Sequence, residues 1–148
     1  MRAIENLADF AGMLVFDKWT CNTNGRQTIF FRPEKQTRYL AMMIDQGFCF
    51  NASEWNFPDA PLRGLYSRQL VYEPVRELEA FELWLSRLES IDEAALETAA
   101  EEIPPEWYNF ENDSLWRMLE QLVRRKKLVR ELLLAAWKSS RQPFPNWT

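Results

Sequence analysis

The sequence predicts a mainly α domain of the α+β class, with one small antiparallel β-hairpin near its start. Three observations carry this expectation. Residues 112–139 hold apolar side chains at helical spacing over about eight turns. Residues 28–32 and 39–44 are short β-prone runs on either side of a polar, proline-bearing linker. Apolar residues make up 47% of the 148, with seven Trp and ten Phe as large burial units. That is enough for one sizeable core and too little for two comfortable ones. The chain therefore reads as a single domain, 1–148, with an irregular first half (1–70) and a helical second half (71–148).

The elements follow in order. Residues 5–20 read as a helix, with Leu7, Phe10, Met13, Leu14 and Asp17 near one face. Asn22, Asn24 and Gly25 break it, since Asn-Gly is a strong turn signal. The hairpin comes next, with a five- or six-residue loop around 33–37, and Asp45-Gln46-Gly47 ends its second strand. Residues 48–70 carry aromatics and prolines with little periodicity, as an ordered, irregular loop would. A helix is predicted over 73–88 with Pro74 as its first residue. Ser90, with Glu93 three residues on, is a capping-box pattern for a helix to about Glu102. Pro104-Pro105 stops that helix. Asn112 or Asp113 caps the longest one, which runs to about Ser139. Its stripe is Leu115, Leu119, Leu122, Val129, Leu133 and Ala136, interrupted by Lys126. Phe144 and Trp147 are expected to pin the tail back on the core.

Composition excludes several classes of function. A net charge of −4 gives no reason to expect a nucleic-acid partner. No stretch approaches the roughly 20 apolar residues of a membrane span. The first ten residues lack an apolar signal core, so a cytoplasmic location with no membrane partner is expected. Cys21 and Cys49 make neither a disulfide framework nor a metal-ligand spacing. The absence of histidine removes His-based zinc sites, Ser-His triads and Cys-His dyads. Any catalysis must run on carboxylates, amides, lysines or arginines. The run Arg124, Arg125, Lys126, Lys127 and Arg130 reads as a solvated helix face near Glu120 and Glu131. Trp55, Trp107 and Trp147 read as core and corner pins rather than a base-stacking surface.

One constellation carries chemistry. A helix, an Asn-rich turn, a hairpin and an Asp at its exit hold two loop ends side by side, as phosphoryl transfer requires. The run FDKWTCNTNGRQTIF followed by MIDQGFCFN resembles the C-terminal lobe of HipA-like kinases, bacterial serine/threonine kinases related to lipid kinases. Downstream, FPDAPLRGLY, IPPEWY, the long basic helix LWRMLEQLVRRKKLVRELL and the ending PFPNW agree with that family, so the resemblance spans essentially the whole chain. It makes 1–70 the catalytic-segment half.

The resemblance implies that Asp45 is the metal-binding aspartate. The catalytic aspartate has two placements. Laying the family's Phe-Asp on Phe16-Asp17 puts the catalytic position at Asn24 and the metal-binding Asn five residues on at Ile29. Alternatively, Asp17 and Asn22 have the five-residue separation of a kinase catalytic loop, with Asn22 as second ligand. Asn24 lies 21 residues before Asp45 and Asp17 lies 28 before it; the former suits a catalytic loop plus hairpin better. An amide at the base position loses the proton acceptor.

The family also has a strand-rich N-terminal lobe with a phosphate-gripping lysine, which is expected to be missing here. The expectation is a detached lobe, inactive or weakly active alone, a pseudokinase-like piece. It contributes the magnesium-binding part of an ATP-dependent Ser/Thr phosphotransfer site completed by a separate N-lobe. Cofactors are magnesium and ATP if it is active, with none evident for the isolated chain. Partners are that separate lobe or a second copy, and a protein substrate if active. The alternative is a non-catalytic interaction module, with apolar surface near Phe48, Phe50 and Trp55. Without the resemblance, Asp45 is a strand-ending turn residue, and Asp17 is a late helical position within reach of Lys18 or Arg26.

Overall fold

The computed structural model describes residues 3–148, apart from the side chain of Ser53. Four α-helices and one two-stranded antiparallel sheet near the N-terminus give the mainly α, α+β fold expected. Helix α1 (Asp9–Trp19) starts later than its periodicity suggests. The residues before it are drawn out beside Tyr39: Tyr39 N donates to Ala3 O at 2.8 Å, and Glu5 N to Tyr39 O at 2.9 Å. Asn6 continues the cover, since its amide donates to Ala41 O at 2.9 Å and accepts from Ala41 N at 2.8 Å. The outer edge of the sheet is closed along this stretch.

Strands β1 (Gln27–Phe31) and β2 (Leu40–Ile44) pair from Gln27 opposite Ile44 to Phe31 opposite Leu40. Side chains alternate between the two faces. Ala41 is buried, Met43 packs on the core and Phe30 stacks 6.4 Å from Phe10. Ile29 and Met42, opposite each other on the other face, are 46% and 48% exposed.

The other three helix starts differ from expectation as well. Helix α2 is Glu82–Ser90, and Pro74 opens nothing. Tyr72 and Val75 are pulled into the core and the chain is extended at Glu77 (φ −163°), so burial overrides local propensity there. Helix α3 (Glu93–Glu101) is capped by Asp92, which accepts from Ala95 N at 2.6 Å. Ser90, expected as the cap, instead donates to Arg87 O at the end of α2. Helix α4 (Asn112–Trp137) begins after Glu111, and Asn112 is its first residue rather than its cap.

The α4 stripe is buried as predicted and packs against α1, α2 and α3. One apolar cluster joins Phe10, Leu14, Tyr72, Phe81, Leu85, Val129, Leu133 and Phe144. A smaller one gathers Ala100, Leu115, Met118, Leu119 and Leu122, with Phe50 and Trp55 packed on it. The tail returns as expected: Phe144 is buried and the Trp147 ring stacks on Trp137 at 5.0 Å. Trp107, expected as a pin, is 78% exposed.

The basic run is not one solvated face. Arg125 is 4% exposed and donates to the carbonyls of Lys18 (2.9 Å), Trp19 (3.2 Å) and Phe57 (3.0 Å). Lys126 interrupts the apolar stripe because its ammonium caps Ile91 O at 2.5 Å. Arg130 pairs with Glu82 across to α2, rather than with Glu120 or Glu131 on its own helix. Among the described residues no helix is long and apolar enough to cross a membrane.

Candidate functional site

The site is built where α1 ends and the hairpin closes. Asp17 lies on the core-facing side of α1, one turn past Met13 and Leu14. Asn22 N closes the turn on Asp17 O at 2.9 Å, and Cys21 takes the left-handed conformation (φ 52°). The Asn22 amide then donates to Asp17 Oδ1 at 2.9 Å, while its own oxygen accepts from Asn24 N at 3.1 Å. Such side-chain-to-backbone bonds are the usual way Asn shapes a turn.

Arg26 completes this cluster. Its guanidinium meets Asp17 with both prongs, Nε to Oδ2 at 2.9 Å and Nη2 to Oδ1. The two side chains are 1% and 0% exposed. Nη1 reaches across to Ile44 O at 3.0 Å and Gln46 Oε1 at 2.8 Å. Arg26 therefore clamps the end of α1 to the exit of β2. Burial pushes the Asp17 carboxyl above its usual range, with Arg26, Asn22 and Lys18 pulling the other way.

A strap over the cluster seals it. Gly64 (φ +75°) rests on Asp17 so closely that a Cβ there would stand 2.5 Å from Asp17 Cβ. Lys18 is 2% exposed and its ammonium donates to Pro61 O at 2.5 Å and Arg63 O at 2.6 Å. Burial lowers its pKa to about 7; Arg125 adds to the drop and Asp17 opposes it.

Outside this sealed cluster sits Asp45. It is exposed, in the left-handed region at φ 60°, where Asp is among the more tolerant residues. Oδ2 accepts from Gln27 Nε2 at 2.8 Å and lies 3.5 Å from Asn24 Nδ2; Oδ1 accepts from Gly47 N at 3.3 Å. The structure thus divides the four candidates into two pairs. Asp17 and Asn22 bond to each other inside, with Asp17 fully covered. Asn24 and Asp45, 21 residues apart, meet at the open mouth of the hairpin. Ile29, the position where the resemblance calls for an amide, is an outward strand residue opposite Met42.

The mouth offers one carboxylate and two amides, all hard oxygen donors once the amides turn their oxygens inward. Among the described residues no group of three or more Cys, Asp or Glu side chains stands ready to hold a metal. That donor set suits magnesium held jointly with phosphate oxygens through one or two carboxylates, and does not suit a metal caged by protein alone.

Sequence reasoning missed Gln27, Gln46, Gly64 and Arg125 as parts of this region. Only Arg125 had a readable signal: it stands three residues after Leu122 and four before Val129, on the buried stripe. No family model, curated protein or solved structure matches this chain.

Proposed function

We propose that this chain is a HipA-like kinase lobe that keeps the metal-side half of a phosphotransfer site and has lost its base. The observation that carries the reading is the approach of Asn24 to Asp45, 3.5 Å apart and open to solvent at the hairpin mouth. Asp45 is the residue that would hold magnesium, with Gln27 and Asn24 able to turn amide oxygens toward it. Magnesium there would neutralise phosphate charge.

The chain's own residues otherwise position and do not react. Arg26 fixes the distance between the turn and the strand exit through Asp17 and Gln46. Asn24 can orient an acceptor hydroxyl by hydrogen bonding, and its amide cannot take that hydroxyl's proton. The two cations on the stretch from α1 to β1, Lys18 and Arg26, are already engaged, Lys18 by two carbonyls and Arg26 by Asp17. On this reading a second lobe supplies the phosphate-gripping cation, and the chain alone is inactive or weakly active. Cys21 and Cys49 are both free thiols, which suits a reducing, cytoplasmic compartment.

The test is thermal shift in millimolar MgATP for wild type and Asp45→Ala. A shift in wild type that Asp45→Ala removes supports the reading. The same response in both, including none, rejects a nucleotide half-site at Asp45.

A second reading, a non-catalytic interaction module, is favoured by one feature. The outward face of the hairpin carries Ile29, Phe31 and Met42, each more than a third exposed, with Phe48 nearby in sequence at 44%. Phe50 and Trp55, expected on that surface, pack instead against the smaller cluster. Apolar surface of this kind is usually covered by a partner.

A further inference from the structure

We infer that the groove between α3 and α4 is a docking site for a basic, amphipathic segment of a partner protein. The groove encloses about 380 Å³. Leu96, Leu119, Val123 and Trp116 supply its apolar lining, and Glu93, Glu97 and Glu120 line it with one cation, Arg124. Trp116 is 45% exposed, although the helix beneath it is well buried. An apolar lining with a half-exposed tryptophan is what an apolar helix face covers when it lies between two helices.

Charge selects the occupant. Residues 89–120 contain ten Asp or Glu and one basic residue, Arg117, a net charge of −9. The whole chain carries −4, so everything outside this segment sums to +5. Three of these acids, Glu93, Glu97 and Glu120, line the groove against one cation, Arg124, and the acidic segment around it favours Lys and Arg flanking the apolar anchors of an incoming chain. Helix α3 has nine residues, so the groove runs about 13 Å and covers two to three turns of a bound helix. The fitting segment has apolar residues at i, i+3 or i+4 and i+7 with cations beside them. Contact over so short a length gives weak binding of order micromolar and a strong salt dependence.

The experiment uses the full chain and a fluorescein-labelled 12-residue peptide with Leu at helical spacing and Lys elsewhere. Anisotropy titrations at low and physiological salt compare wild type with three variants. Val123→Arg puts a cation into the apolar lining at a half-buried position, and circular dichroism checks its fold. Glu93→Gln/Glu97→Gln neutralises two of the groove's acids. Glu34→Gln/Glu77→Gln removes the same charge from exposed positions elsewhere. At least tenfold weaker binding to Val123→Arg, several-fold weaker binding to the groove-acid variant and no change in the remote one are expected. Equal binding to wild type and Val123→Arg overturns the proposal, as does an equal loss in the remote variant. Self-association without peptide that Val123→Arg abolishes also overturns it, by giving the groove to a second copy.

Discussion

Replacing Lys18 by Met tests the most unusual electrostatic feature of the fold. Lys18 is 2% exposed and its ammonium is held by the carbonyls of Pro61 and Arg63. Its pKa falls from 10.5 to about 7 on folding, chiefly through burial. The folded value lies below the unfolded one, so below pH 7 both states carry the proton and the native state bears the full cost of a buried charge. Between about pH 7 and 10.5 the unfolded chain holds the proton and the native chain does not, so stability climbs with pH. The slope is about 1.4 kcal/mol per pH unit, and the full span corresponds to about 5 kcal/mol. Urea unfolding at pH 6, 7, 8 and 9 reads this directly. The stability of wild type minus that of Lys18→Met should rise by about 2–3 kcal/mol from pH 6 to 9. Parallel pH profiles for the two proteins would refute the reasoning.

Other perturbations act on the same region. Arg26→Met leaves the covered Asp17 without its partner and should cost about 3–5 kcal/mol, whereas Asp17→Leu/Arg26→Met should recover most of that. Denaturant titration checks both, and a single variant within 1 kcal/mol of wild type would remove the clamp. Gly64→Ala puts a methyl group into Asp17 at a residue with φ +75°, so a loss of about 1–3 kcal/mol is expected. Gly25→Ala, with nothing within 4 Å of the added Cβ, should melt within about 2 °C of wild type.

How much of this was legible depends on how local the determinants are. The stripe of α4 is long, so its 3.6-residue period survives the intrusions of Arg125 and Lys126. The hairpin was legible because β-prone residues flank a proline-bearing loop, and the paired strands differ from the reading by one residue at three of their four ends. The start of α2 was not, because Pro74 is acceptable at a helix start and only tertiary burial of Tyr72 and Val75 forbids one there. Asp92 and Ser90 are both good caps two residues apart, and nothing in their chemistry ranks them. At the site, the meeting of Asn24 with Asp45 follows from the hairpin connection and was readable from spacing. The sealing of Asp17 was not. It needs Gly64 and the Pro61 and Arg63 carbonyls that Lys18 holds, all contributed by a loop more than 40 residues away, and long-range docking of an irregular loop leaves no periodicity to read.

The central claim is that Asn24 and Asp45 form an open metal-phosphate half-site while Asp17 is structural. A residue-resolved NMR titration with MgATP, run on wild type, Asp45→Ala and Asn24→Asp, tests it most directly. The account predicts movement of the amides of Asn24, Gln27 and Gly47 in wild type. That movement should be lost in Asp45→Ala and should saturate at lower MgATP in Asn24→Asp, where a second carboxylate joins the mouth. Unmoved hairpin-mouth amides at 10-millimolar-order MgATP, or the same movement in Asp45→Ala as in wild type, would contradict it.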